Sequence, residues 1–196
     1  MRPRLKCSLE KEVVMPEQKL TPMPNAAFRA MAWMMGVMDF FSPSAVRRHL
    51  SKVPLKEGMT VVDYACGPGR YTIPIAEMVG SKGKVFAVDI QPVAIEMVKR
   101  KAARKRLSNI ETVLADSYNT GIPGAAADVV LLVDMIHMVS DRDSLLREVH
   151  RLLKPDGVLF VGVEHISAAE VKTQIGATGL FKTVKSEGRD MLLSKT

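Results

Sequence analysis

The segment VVDYACGPGRYTIPIAEMV, residues 61–79, constrains the fold more than any other. A short β-branched run carrying Asp63 leads into a tight turn with Gly67 and Gly69, and a helical pattern starts at once behind it. Glycine is required where the backbone must take positive φ, or where a ligand approaches more closely than a Cβ allows. A helix opening behind such a turn offers free N–H groups to an electron-rich ligand atom. The segment therefore reads as a buried strand, a ligand-contacting turn and a helix, the first unit of an α/β fold.

The rest of the chain repeats that unit. Runs rich in Val, Ile and Leu at 60–65, 84–89, 110–115, 128–133 and 157–163 alternate with amphipathic stretches, the pattern of β-α-β units around a parallel sheet. Pro92 suits the first turn of the second helix, where a missing N–H costs nothing. Ser140 with Asp143 three residues on predicts a capping box for a helix whose buried face is Leu145, Leu146, Val149, Leu152 and Leu153, ending at Lys154-Pro155-Asp156-Gly157. A helix at 167–177 precedes two strand-like runs, 181–186 and 190–195, joined only by Glu187, Gly188 and Arg189. So short a connection forces an antiparallel hairpin. The expected fold is α/β and Rossmann-like: a doubly wound, mostly parallel seven-stranded sheet with an antiparallel C-terminal edge and helices on both faces.

Before this core, residues 1–24 carry four prolines and read as an extended arm, and 25–57 as a helical lid; the core itself is 58–196. The stretch AAFRAMAWMMGVMDFF is apolar on nearly every side, so the expectation is that protein or ligand covers it. Its length falls short of the roughly 20 residues a bilayer helix needs. No secretory h-region is visible at the N-terminus, which makes the cytoplasm the expected location. Two cysteines, Cys7 and Cys66, are too few for a disulfide framework or a zinc site. The net charge of +7 owes much to residues 99–106, KRKAARKR. Without interleaved aromatic residues this run reads as a solvated helix face, with nucleic-acid binding as the alternative. Monomer and homodimer both remain open.

A dinucleotide site needs G-x-G-x-x-G, and counted from Gly67 the third glycine is replaced by Thr72. Pro68 also removes a donor that a pyrophosphate would use. A nucleoside without phosphates would not miss it. Asp89, ending the second strand in Val-Asp, is placed to accept hydrogen bonds from both ribose hydroxyls. Asp116, in Leu-Ala-Asp-Ser, is placed to accept one from an adenine amine, with the Ser117 N–H beside it; an aspartate there also serves as a turn former.

VVDYACGPG, VFAVDI, LADS, DVVLLVDMIHMV and LLKPDGVLF, in that order, resemble the successive motifs of the class I S-adenosylmethionine-dependent methyltransferases. The family's D-x-G-x-G-x-G core is met at Asp63, Gly67 and Gly69, while Ala65 replaces the first glycine. The resemblance implies S-adenosyl-L-methionine as cofactor and S-adenosyl-L-homocysteine as product. By it, Ala65, Gly67 and Gly69 lie under the methionine part and Asp63 holds the ammonium, directly or through water. Asp89 holds the ribose, Ile90 packs on adenine, Asp116 and Ser117 read its amine, and Val133 faces the sulfonium.

Methyl transfer from a sulfonium mainly requires alignment and exclusion of water, so a general base is optional. His137, just past the fourth strand, is the candidate base, with Asp134 beside it. The N/D-P-P-Y motif of nucleic-acid amino methylation is absent from this stretch, which reads Asp134-Met135-Ile136-His137. Acceptor choice falls to the N-terminal arm and the Met-rich helix with Phe28, Trp33, Phe40 and Phe41. The acceptor expected is small and partly apolar. The alternatives are a cofactor-binding module acting on nucleic acid or protein through 99–106, and a nicotinamide dehydrogenase.

Overall fold

Seven strands form one sheet in the order β3-β2-β1-β4-β5-β7-β6. They are β1 Thr60–Tyr64, β2 Lys84–Asp89, β3 Ile110–Leu114, β4 Ala127–Val133, β5 Leu153–Gly162, β6 Phe181–Glu187 and β7 Asp190–Lys195. The helices are α1 Asn25–Phe41, α2 Ser44–Leu50, α3 Thr72–Val79, α4 Pro92–Lys105, α5 Arg142–Leu152 and α6 Ala168–Ala177. This computed structural model describes residues 19–41, 44–163 and 166–196. Residues 1–18 of the expected arm, and Cys7 with them, lie outside the described residues; 19–24 form neither helix nor strand.

The five strands β1 to β5 are parallel where they pair, and β7 joins β5 antiparallel, with β6 on its outer side. The mixed sheet with an antiparallel edge is thus as the sequence implies. Alternation along the central strands feeds two cores. Val62, Val88, Val130, Leu132 and Val161 pack with Leu145, Leu146 and Val149 of α5 and Val171 and Ile175 of α6. Val61, Val85, Val129, Leu131 and Phe160 pack with Leu50 of α2 and Ile75, Ala76 and Val79 of α3. Burial on both faces explains why these strands read as continuous apolar runs.

Two local expectations are corrected. The cap of α5 is Asp141, not Ser140: its carboxylate accepts the Ser144 N–H at 3.0 Å and the Ser144 hydroxyl at 2.6 Å. A carboxylate is the stronger acceptor at the positive end of a helix, and these bonds hold the Asp141 pKa below its usual value. No separate turn follows α5, because Leu153 pairs with Ala127 and opens β5 directly. Among the described residues, α1 meets the core with one side. Phe28 and Ala32 pack on Val93 and Ala94 of α4, while Trp33 is 73% and Met34 54% exposed. No helix among the described residues is long and apolar enough to cross a membrane.

Strand order reverses at β1, which has β2 on one side and β4 on the other. The loops leaving β1 and β4 therefore diverge to opposite faces, and a crevice opens at the carboxyl ends of the strands.

Candidate cofactor and acceptor site

The loop after β1 lines one wall of that crevice. Ala65, Gly67 and Gly69 all adopt positive φ, at 60°, 53° and 80°. The two glycines do different work. A Cβ on Gly67 would meet nothing within 4 Å, so this position faces open space; a Cβ on Gly69 would lie 3.0 Å from Val98 Cγ2 of α4. Gly69 is small for close helix packing, Gly67 for whatever occupies the crevice.

Asp63, one residue before the end of β1, is buried, and its carboxylate accepts a 2.5 Å hydrogen bond from the Thr72 hydroxyl at the start of α3. Burial pushes its pKa up to about 6; the Thr72 bond opposes the rise and the charge of Asp89 adds to it. Thr72 is the residue that fails the dinucleotide pattern. Its role as partner of Asp63 was visible only as a polar residue in the first turn of an apolar helix.

Asp89 ends β2 facing the same loop. One oxygen accepts the Gly67 N–H at 2.7 Å and the other the Gln91 N–H at 2.8 Å. Burial raises its pKa, while the amides of Gln91, Gly67 and Ile90 pull it back. A carboxylate has about four acceptor sites, so two hydrogen bonds leave room for hydroxyl donors. Ile90 is half-buried against the core beside it. Asp116 follows β3 with its side chain exposed, and Ser117 is buried. The backbone carbonyl of Asp116 accepts the N–H of Leu20 at 2.8 Å, and Gln91 Nε2 donates to Asn25 Oδ1 at 2.7 Å. The chain entering α1 is thus strapped across the tips of β2 and β3. Phe28 therefore sits on the α4 side of the crevice, and the side chains of Phe40 and Phe41 lie outside the described residues.

At the tip of β4, Val133 is half-buried, and Asp134 turns the chain with φ 51° while donating its N–H to the Gly162 carbonyl at 2.8 Å. A short 3-10 turn, Ile136–Met138, carries His137, whose Nδ1 lies 3.9 Å from Asp134 Oδ1. Arg142 Nε donates to the Ile136 carbonyl at 3.1 Å and steadies this turn.

The sequence reading missed a second polar group beside Val133. His49 Nδ1 is 2.8 Å from the Tyr71 hydroxyl, and its Nε2 is 3.9 Å from Asp190 Oδ1. Lys52 Nζ holds the other Asp190 oxygen at 2.6 Å. A Cβ built on Gly162 would stand 3.5 Å from Val133 Cγ1 and 3.3 Å from Asp190 Oδ1, which places the group next to the β4 and β5 tips. No local motif signals it, since its members come from α2 and the turn after it, the residue before α3, and β7.

The site as a whole selects a charge. Asp63 and Asp89 are both buried, and their hydrogen bonds come from a hydroxyl and from amides rather than from a cation. A ligand bringing positive charge relieves their desolvation, and a pyrophosphate would aggravate it. A sequence profile of the family described as "Methyltransferase domain" matches residues 55–189. The chain belongs to that methyltransferase family. Over 124 residues the chain is 33% identical to a demethylmenaquinone methyltransferase from Staphylococcus epidermidis, covering 63% of this chain and 51% of that protein. Over 120 residues it is 32% identical to nocamycin O-methyltransferase from Saccharothrix syringae, covering 61% of this chain and 42% of the other. The chain spans about half the length of the relatives it matches. Its fold is that of class I S-adenosylmethionine-dependent methyltransferases: a solved member from Aquifex aeolicus superposes with TM-score 0.73 at 22% identity, over 88% of this chain and 98% of that one.

The methyltransferase cofactor fits these residues. S-adenosylmethionine is a ribonucleoside with an ammonium and a sulfonium and no phosphate. The open space before Gly67, the buried carboxylates and the amide-poor loop at Pro68 match that description point by point.

Proposed function

We propose that the protein transfers the methyl group of S-adenosylmethionine to a small, partly apolar acceptor by in-line displacement. The observation that carries this reading is the pair of buried, cation-free carboxylates Asp63 and Asp89 on either side of Gly67. In it, Asp63 takes the ammonium, Asp89 the ribose hydroxyls, Asp116 and Ser117 the adenine edge, with Ile90 on its face. Ala65, Gly67 and Gly69 shape the floor, and Val133 borders the reacting carbon. The bound cofactor supplies a methyl carbon bearing a neutral leaving group, the thioether sulfur.

With the cofactor bound, its methyl group would pass in line to an electron pair of the acceptor, so these residues would need only to align the partners and keep water out. Where the acceptor carries a proton, His137 with Asp134 is the nearer candidate to receive it, and His49 with Asp190 the other. The apolar acceptor follows from the exposed and half-buried methionines and Trp33 of α1, and from relatives named for demethylmenaquinone and nocamycin. Residues 25–57 serve as the lid over the core at 58–196, a reading that the strap at Leu20 and Asn25 supports.

Calorimetry with S-adenosylhomocysteine tests the reading. Gly67→Val places a side chain in the open space before the loop and is expected to weaken binding by more than about 100-fold, a loss of roughly 3 kcal/mol. Its circular dichroism should stay that of the parent. Unchanged affinity in a folded variant would put the site elsewhere. Tritium counting of an apolar extract after incubation with methyl-labelled cofactor then reads the acceptor class.

A further inference from the structure

Between α2, α3 and α4 lies a groove of about 610 Å³ that shares only Gly69 with the residues assigned to the methyl-transfer site. It is lined by Arg47 of α2, Arg70 of the glycine loop, and Lys101, Arg104 and Lys105 of α4, with Val46, Gly69, Ile73 and Pro74 completing its walls. Five of the nine lining residues are cationic. They come from two helices and a loop, so the topology, not one basic run alone, gathers them. The acid in contact is Glu77, which takes Lys105 at 2.6 Å near the rim. Lys101 Nζ donates to the Pro68 carbonyl at 2.6 Å, which fixes this ammonium at the groove's inner end.

We propose that this groove is a binding site for a compact organic phosphate. The volume is that of a small-molecule pocket. Arginines contributed from opposite sides, Arg47 and Arg104, can each present a fork of N–H donors to phosphate oxygens. Val46, Ile73 and Pro74 offer an apolar wall to the organic part of the ligand. A nucleic-acid strand is less suited, because no aromatic ring lines the groove to stack a base. The basic stretch at 99–106 thereby gains a role that only part of it serves: Lys101, Arg104 and Lys105 line the groove, while Lys99, Arg100 and Arg106 do not.

The test is calorimetry with inorganic pyrophosphate, and with adenosine diphosphate as a larger probe, in about 50 mM salt to limit screening. One equivalent of pyrophosphate is expected to bind. Arg47→Ala/Arg104→Ala should weaken it by more than about tenfold, the loss of two charge-assisted contacts. Both side chains are exposed, so the variant should keep the parent's unfolding midpoint and its affinity for S-adenosylhomocysteine. Protein saturated with S-adenosylhomocysteine should bind pyrophosphate as well as the free protein does. Absence of binding, equal binding by the double variant, or competition with S-adenosylhomocysteine would each overturn the site. So would a 12-residue oligothymidylate that binds more tightly than pyrophosphate through the same arginines, since the groove would then read a polymer.

Discussion

Two buried carboxylates in this fold are treated in opposite ways. Glu148, on α5, accepts the Thr120 N–H at 2.9 Å and the Thr120 hydroxyl at 2.7 Å, and both its oxygens engage Arg151 at 2.7 and 2.8 Å. Burial acts to raise its pKa, yet the Arg151 and Thr120 hydrogen bonds bring it below the usual value. Asp63 has one hydroxyl, a second carboxylate nearby, and a pKa pushed up to about 6 by burial. Where a carboxylate only ties a loop to a helix, the fold supplies the cation. At Asp63 the described residues supply no such cation, and in the proposed function the ligand brings the positive charge.

The largest effect should come from breaking the complete network. Glu148→Ala strands the Thr120 donors and Arg151 and is expected to cost about 3 kcal/mol, the low end for a broken buried pair because Arg151 is partly exposed. The unfolding midpoint should fall by roughly 6–12 °C. A fall of under about 2 °C would mean that water replaces the carboxylate at no cost. Because the folded pKa of Glu148 is depressed, its stabilisation is present above the unfolded value and is lost as pH falls through the folded one.

Asp63 carries the opposite sign. Its folded pKa lies above the ordinary 3.8, so the ligand-free protein loses stability as pH rises from about 4 to about 6, by up to roughly 3 kcal/mol. Cofactor binding should move the other way. An ammonium needs the ionised carboxylate, so affinity for S-adenosylhomocysteine should rise about tenfold from pH 5 to pH 7. Asp63→Asn should leave the stability of the free protein equal or higher at pH 7, weaken the cofactor by about 10- to 100-fold, and flatten that pH dependence. A pH dependence that survives in Asp63→Asn would assign the titration to another group.

The contrast also marks what could be read from sequence. Strand and helix order, the antiparallel edge and the strand-turn-helix at 61–79 follow from local periodicity and from a three-residue connection, so they were legible. Asp63, Asp89 and Asp116 were legible as strand-tip acids. Not legible were pairings set by packing: Glu148 hides on the polar side of an amphipathic reading, and Thr120 lies 28 residues away. In the His49, Tyr71, Lys52 and Asp190 group, Lys52 and Asp190 lie 138 positions apart. Apolar composition likewise does not say which neighbour covers each side of α1. Asp141 displaced Ser140 as cap through a one-residue shift in helix start, a choice made by which oxygen meets the Ser144 N–H.

The smallest effect isolates the one departure from the family's glycine pattern. Ala65 holds φ 60°, a conformation in which an L side chain costs roughly 1–2 kcal/mol. Glycine there removes that strain but adds about 0.5–1 kcal/mol of chain entropy to the unfolded state. Ala65→Gly should therefore stabilise the protein by about 0.5–1 kcal/mol, a rise of roughly 1–4 °C in midpoint. Arg106, at φ 56° on the exposed end of α4, is the control, and Arg106→Gly should give a similar rise. Affinity separates the two positions. If both variants are stabilised but only Ala65→Gly loses S-adenosylhomocysteine affinity, the alanine methyl touches the ligand and the strain at 65 belongs to the site. Equal affinity in both would reduce Ala65 to a tolerated substitution in a turn whose essential position is Gly67.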